Sequence, residues 1–331
     1  MATLITGGSG FIGLNLAERL LGAGEDVTLF GHTPPPPAAL TDFAGLPGHL
    51  AVCVGDVRSA ADLNRAFTMA PVTRVAHAAA VTASVERERA DPRGIMDVNL
   101  LGAIDVIEAM LRHKVSRILL ASSVAVYGFP AAGPDGTLGE EDCRPSPATL
   151  YGVGKLAAEQ TAARLAQLHD LTLTIARIGP AYGPWEHHSG VRDVLSPQWQ
   201  SVDLARAGKD VQLSRLATGD WLYARDAAEG LALLLQAASL PNQLYNVGAG
   251  ASWALQDWVA ALAARTPGFK TRPPTADGVG MTVRVQTAID RPAMSITRLR
   301  ADTGYAPRFG LKESLIDYLE WLDGHPGFPK N

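Results

Sequence analysis

Through the first half of the chain, short runs rich in β-branched residues alternate with longer stretches whose apolar positions recur at helical spacing. The runs cover residues 2–6, 27–30, 50–54, 74–77, 117–121 and 171–177, with helical patterns at 11–21, 95–112 and 150–168 between them. This alternation predicts an α/β fold, a doubly wound parallel sheet of the Rossmann type with helices on both faces. Prolines 34–37 predict a rigid extended loop after the second strand rather than a domain linker. After about Tyr182 the strands give way to irregular segments richer in Trp, His, Pro and Arg, with one clear helix at 224–237. The chain is therefore expected to divide into a first domain over 1–182 and a smaller C-terminal lobe over 183–331. Segments of the lobe are expected to cross back to the first domain.

The first run leads straight into Thr6-Gly7-Gly8-Ser9-Gly10-Phe11-Ile12-Gly13, with Gly7, Gly10 and Gly13 spaced G-x-x-G-x-x-G. A turn this tight needs positive φ, backbone that approaches a pyrophosphate without a Cβ, and a helix packed close to the strand. The helix that Phe11 and Ile12 open presents free N–H groups and a positive dipole end to phosphates. Between a strand and a helix, the pattern points to a dinucleotide site. A carboxylate about twenty residues further on would hold a ribose 2′-hydroxyl and favour NAD. Here the second strand ends Phe30-Gly31-His32-Thr33, with no acid and no arginine for a 2′-phosphate, so the residues themselves leave NAD and NADP open. Asp56, in Gly55-Asp56-Val57, is placed either to accept the adenine amino group or to serve as a strand-end turn residue.

Tyr151-Gly152-Val153-Gly154-Lys155 opens the third helical pattern, and residues four apart share one helical face. Phenol and ammonium then point into one cleft, and the cation is expected to lower the tyrosine pKa from about 10. A general acid/base acting on an alcohol or carbonyl requires this. Ser123 stands at the carboxyl end of the fifth run, where open parallel sheets bind ligands. Its hydroxyl is expected to hold the substrate oxygen that Tyr151 protonates or deprotonates, although alone it reads as a cap or turn serine. The chain carries no G-x-S-x-G elbow, no G-x-x-x-x-G-K-[ST] loop and no H-E-x-x-H. The adjacent His187 and His188 diverge on an extended segment, so no metal site is expected.

Composition narrows the setting. The chain has 331 residues, 47% apolar and 19% charged, a globular balance with room for a sizeable core. A net charge of −4 argues against a nucleic-acid surface. Cys53 and Cys143 form no disulfide framework or zinc knuckle, which points to a reducing, cytoplasmic setting. The first residues lack a signal peptide's cationic flank and apolar core, and the longest uncharged run contains Gly128 and Pro130, so no membrane partner is expected.

Taken in order, the 6–13 turn, Asp56-Val57, His77-Ala78-Ala79-Ala80, Asn99, Ser123, Tyr151 with Lys155, and Arg177 resemble the extended short-chain dehydrogenases/reductases. The branch they resemble is the NAD-dependent epimerase/dehydratase one, which includes UDP-galactose 4-epimerase. Tyr182-Gly183-Pro184, Asp220-Trp221-Leu222-Tyr223 and Tyr245-Asn246-Val247-Gly248 carry the resemblance across nearly the whole chain. It implies NAD as cofactor, a sugar-like small-molecule substrate, and Tyr151 as general acid/base with Ser123 at the substrate oxygen. Lys155 would bind the nicotinamide ribose and tune Tyr151. Gly7, Gly10, Phe11, Ile12, Gly13, Asp56 and Val57 would follow the cofactor, with Ala78, Ala79 and Asn99 on its near side and Ile178 by the nicotinamide.

Departures matter as well. Val124 and Ala125 stand where the family's 4,6-dehydratases carry an Asp-Glu pair, which argues against sugar-nucleotide dehydration. Gly154 replaces a serine, Pro180 an asparagine, and Gly219 an arginine typical of diphosphate recognition. Losing that positive fork weakens the nucleotide-sugar reading. Arg192, Arg215 and Arg291 are candidates to compensate, or to grip a smaller carboxylate or phosphate.

The leading expectation is an NAD(P)-dependent epimerase or oxidoreductase acting on a sugar, nucleotide sugar or sugar-derived alcohol. A simple dehydrogenase of a small non-nucleotide hydroxy compound is the alternative, and a dinucleotide sensor without chemistry the remote one. The helices at 95–112 and 150–168 carry more apolar and alanine positions than one core-facing stripe needs, Ala162 and Ala166 among them. That surplus predicts a homodimer paired through these helices.

Overall fold

The computed structural model describes residues 2–275 and 279–328. Seven strands make the central sheet: β1 (Ala2–Thr6), β2 (Asp26–Gly31), β3 (Leu50–Val54), β4 (Val72–His77), β5 (Arg117–Ser123), β6 (Thr172–Ile178) and β7 (Leu244–Val247). They lie in the order β7-β6-β5-β4-β1-β2-β3, every pair parallel. Chain direction across the sheet reverses between β4 and β1, and a crevice opens there beyond the carboxyl ends of the strands.

Successive side chains of a strand leave on opposite faces, and each face has its own core. Ile5, Leu29, Ala76 and Leu119 pack with Leu14 and Leu20 of α1 (Phe11–Gly22). Leu4, Phe30, Val75 and Ile118 pack on the other side with Leu63, Val106 and Ala162. Those belong to α3 (Ala60–Thr68), α4 (Gly102–Arg112) and α5 (Leu150–His169). Thr149 caps α5 by accepting from the Gly152 amide at 3.1 Å. The helix ends where Asp170 turns left-handed at φ 54°.

Four sequence expectations are corrected. The proline run does not stay extended: Pro37 starts α2 (Pro37–Phe43), because proline fits the first helical position, where no N–H is needed. The single helix expected at 95–112 is broken into Pro92–Met96, a π-turn at Asp97–Leu101, and α4. Among the described residues the C-terminal half holds, besides α6 (Ala224–Gln236) and the terminal helix Leu311–Gly324, further helices at Pro197–Arg206, Leu255–Ala263 and Thr297–Thr303. Ala162 and Ala166 face this chain's own core, 1% and 5% exposed, since α4 and α5 pack against each other. Leu101, Val153 and Leu168 are the exposed large apolar positions on these segments.

The two halves of the chain interleave. β7 pairs with β6 in the central sheet, and α6 packs on α1. Among the described residues no helix is long and apolar enough to cross a membrane.

Candidate functional site

Gly7 has φ 68°, and a Cβ there would lie 2.6 Å from the Ala79 amide nitrogen. A Cβ on Gly13 would lie 2.3 Å from the Gly7 carbonyl oxygen. Only glycine lets α1 begin this close to β1 and β4. Gly10 caps α1 with no side-chain bond, so the first-turn amides of Phe11, Ile12 and Gly13 have no partner within the helix. A Cβ on Gly10 would meet no protein atom nearer than 3.2 Å. Free amides and a positive dipole end at a cavity wall suit a pyrophosphate, so the residues present fit a dinucleotide.

Gly7, Gly10, Phe11, Ile12, Gly13, Ala78, Ser123, Tyr151, Lys155 and Ile178 all line one cavity of about 400 Å³. Asp56, Val57, Ala79 and Asn99 lie outside its lining. The Asp56 carboxylate accepts the Arg58 amide at 2.9 Å and pairs with its guanidinium at 2.5 Å, which holds it below the usual carboxylate range. Val57 packs against Gly102. Asn99 accepts from the Val81 amide at 2.8 Å and donates to the Val81 carbonyl at 2.9 Å, pinning the loop after β4. The π-turn that carries Asn99 also explains Gly154: a Cβ there would come within 3.1 Å of the Asn99 Cβ.

The reacting centre sits beyond β5. Ser123 accepts from the Ala125 amide at 3.1 Å, so it is a cap as well as a cavity residue. Burial raises the Tyr151 phenol above its ordinary pKa, while hydrogen bonding with Ser123, the charge of Arg192 and hydrogen bonding with Thr82 pull it down. The expected lowering by Lys155 is not found. Lys155 instead donates to the Ala121 carbonyl at 2.7 Å, and burial brings its own pKa down to about 8 against the opposing charge of Glu159. Desolvation outweighs the helical spacing here. His77, behind Lys155, bonds Thr6 at 2.7 Å, and burial holds its pKa down at about 3, so the ring is neutral.

Sequence reasoning missed Thr82 and Glu159. Glu159 is buried, one turn beyond Lys155, and takes Arg177 in a two-pronged pair at 2.9 and 2.6 Å while also accepting from Ser122. Arg177 lies 4.7 Å over the Tyr127 ring, whose hydroxyl donates to Asn246 at 2.9 Å. The network ties β5, β6 and β7 together directly behind Ser123. Its signals in the sequence are Arg177, which the resemblance includes without a role, and a carboxylate four residues after Lys155, a spacing that equally describes a surface ion pair.

Side chains from the C-terminal half wall the far end of the cavity. A Cβ on Gly219 would lie 3.2 Å from the Trp221 ring, whose Nε1 donates to the Trp253 carbonyl at 3.2 Å. The indole thus fills the space beside Gly219 where the resemblance expects an arginine. Arg192 lies beside Thr82 through a strand-like bridge, pairs with buried Glu186 at 2.8 Å and covers the Phe11 ring at 5.1 Å. Among the described residues no cluster of three or more His, Cys, Asp or Glu is arranged to hold a metal.

Comparison with known proteins agrees with this architecture. The chain is 26% identical to a probable UDP-glucuronate 4-epimerase of Rhizobium meliloti, over 98% of this chain and 97% of that one. It is 25% identical to a bifunctional UDP-glucose and UDP-xylose 4-epimerase of Pisum sativum, over 98% and 96%. The structure of a UDP-glucose 4-epimerase from Thermus thermophilus in complex with NAD superimposes with a TM-score of 0.76 at 28% identity, covering 98% and 99%. Residues 3–248 match the NAD dependent epimerase/dehydratase family. By its glycine cradle, its sheet and this match, the chain is an NAD-dependent enzyme that belongs to the NAD-dependent epimerase/dehydratase family.

Proposed function

We propose that Tyr151 is the general acid/base for NAD-dependent oxidation or reduction at a secondary alcohol carbon of a sugar or sugar-derived substrate. The observation that carries this reading is the convergence of Tyr151, Ser123 and Lys155 on the cavity that includes the glycine turn. Bound NAD supplies a nicotinamide C4 that accepts or donates hydride. Gly7, Gly10, Phe11, Ile12 and Gly13 would hold the pyrophosphate by backbone and Ile178 would face the nicotinamide, while Asp56 and Val57, outside the cavity lining, would meet the adenine only at its outer edge. Ala78 stands on the near wall, with Ala79 beside it and Asn99 holding the Val81 loop behind it. Ser123 holds the substrate oxygen while Tyr151 takes its proton in oxidation and returns it in reduction. Burial keeps the resting phenol protonated, which suits the acid role. Lys155, which donates to the Ala121 carbonyl, would hold the nicotinamide ribose with its remaining N–H groups. Residues 1–182 serve the cofactor and 183–331 mainly close over the substrate.

The test is nicotinamide absorbance on mixing the NAD-loaded protein with sugar alcohols, sugars and nucleotide sugars. Net reduction marks a dehydrogenase. Hydride returned within one cycle, with an inverted product in the NMR spectrum and no net absorbance change, marks an epimerase, the second reading, which the UDP-sugar 4-epimerases among the relatives favour. Full turnover in Tyr151→Phe would overturn the assignment of Tyr151. Exposed Leu101, Val153 and Leu168 support a homodimer through α4 and α5. A monomeric mass in light scattering would refute it, and Val153→Glu, not Ala162→Glu, is the variant that should split it. The buried free thiols of Cys53 and Cys143 suit a reducing, cytoplasmic setting.

A further inference from the structure

Four arginines line the cavity beyond Tyr151, and two of them are already paired with carboxylates. Arg215 donates to Asp290 at 2.8 Å and to the Thr287 and Leu216 carbonyls at 2.7 Å each. Arg192 is neutralised by Glu186. Arg284 is exposed to solvent. Arg291 is different. It is half-buried, its Nε donates to the Gly128 carbonyl at 2.6 Å, and its guanidinium lies 4.6 Å over the Phe129 ring. Among the described residues no carboxylate pairs with it, and neither Nη has a partner. Burial without a counter-ion pushes its pKa below the ordinary arginine value.

A partly desolvated cation is stabilised when an anion meets the edge it still shows to the cavity. Here the stacking and the Gly128 carbonyl fix the plane of the guanidinium and leave its Nη edge without a protein partner. That is the preorganisation a ligand site needs. A planar guanidinium with one free edge matches one carboxylate in a two-pronged pair. A diphosphate carries more charge and calls for more than one cation held in place, whereas Arg192 and Arg215 are already neutralised, Trp221 fills the space beside Gly219, and Arg284 is exposed, with no hydrogen bond or ion pair fixing its guanidinium among the described residues.

We propose that Arg291 is the substrate-reading residue of this site and that it takes a carboxylate carried by the sugar-derived substrate, not a nucleotide diphosphate. The proposal deepens the reading of Tyr151 and rests on it for the reaction, but not for binding.

The experiment titrates the NAD-loaded protein calorimetrically with hexuronates and aldonates, the matching neutral hexoses, hexose phosphates and UDP-glucose. It is run on the parent, Arg291→Met and Arg291→Lys, each also in a Tyr151→Phe background where binding is read without turnover. The parent is expected to prefer the acids over their neutral counterparts by about tenfold or more. Arg291→Met should remove that preference by weakening acid binding about 10- to 100-fold, with NAD and neutral-sugar affinities unchanged, and Arg291→Lys should restore part of it. A preference that survives Arg291→Met overturns the proposal, as does equal loss for acids and neutral sugars. So does binding of no acid in the panel, or tighter binding of hexose phosphates or UDP-glucose than of every acid. If instead Tyr151→Phe keeps its turnover while the acid preference stands, the reaction reading fails and the Arg291 assignment does not.

Discussion

The two ends of the cavity are made of different material. At the cofactor end the wall is backbone: at Gly7 and Gly13 a Cβ would run into main-chain atoms, at 2.3 Å in the case of Gly13, and at Gly10 it would stand in the cavity itself. At the far end the wall is side chain: Trp221 packs on Trp253, Arg192 pairs with Glu186, and Arg291 stacks on Phe129 and bonds the Gly128 carbonyl. A backbone wall dictates residue type, because nothing but glycine fits. A side-chain wall dictates only volume and charge, so an indole can stand where an arginine is expected. The chemistry of the cofactor end is therefore stated by a motif, and that of the substrate end by packing.

Substitutions can break this contrast. The largest effect is expected for Gly10→Val, which should abolish NAD binding in calorimetric titration while thermal unfolding shifts little, since its new Cβ has only a 3.2 Å neighbour. Gly13→Ala should lose both, because its Cβ meets the Gly7 carbonyl oxygen at 2.3 Å. Next comes Tyr151→Phe, expected to lower turnover by about 10² or more with NAD affinity retained, measured by steady-state kinetics and titration.

Behind the site, Glu159→Leu leaves the Arg177 charge buried without its partner and should lower stability by about 3–5 kcal/mol in denaturant unfolding. Arg291→Met removes a cation that has no partner and should leave stability unchanged or raised. Equal losses in the two variants would erase the distinction between the network behind Ser123 and the open substrate wall.

A smaller effect is expected from pH. The Lys155 pKa falls from its ordinary 10.5 to about 8 in the folded chain, so between those values the unfolded chain binds more protons and stability rises with pH. Lys155→Met should flatten that slope in unfolding experiments run across the range. His77, about 3 folded against 6.5 ordinarily, destabilises the fold as pH falls from 6.5 toward 3, for the same reason on the acid side. The smallest change is Gly154→Ser, whose Cβ at 3.1 Å from Asn99 should cost about 1 kcal/mol and weaken turnover only through the Val81 loop.

Much of the fold was legible because it rests on short-range rules. Strand–helix alternation foretold the six strands of the first half, and the helix over α5 came within a residue of its observed end. The breaks came where neighbours in space decide. The π-turn at Asp97–Leu101 has apolar spacing indistinguishable from a helix, and only the bonds of Asn99 to Val81 and its packing against Gly154 show where it lies. Ala162 and Ala166 read as surplus because their partners on α4 lie some sixty residues earlier in the chain, as Val106 and Met110.

By itself, then, the sequence determined the parallel sheet, the glycine cradle and the placement of Ser123, Tyr151 and Lys155 at the carboxyl ends of the strands. Those depend on φ, on Cβ volume and on side-chain period, all properties of neighbours in the chain. Tertiary structure alone decided the direction of the Lys155 ammonium, the burial of Glu159 with Arg177, and the neutral state of His77. It also decided that Arg291, half-buried on the substrate wall, has no counter-ion among the described residues. Charge and burial are set by what the fold brings against a group, and Phe129 and Gly128 reach Arg291 from a distant part of the chain.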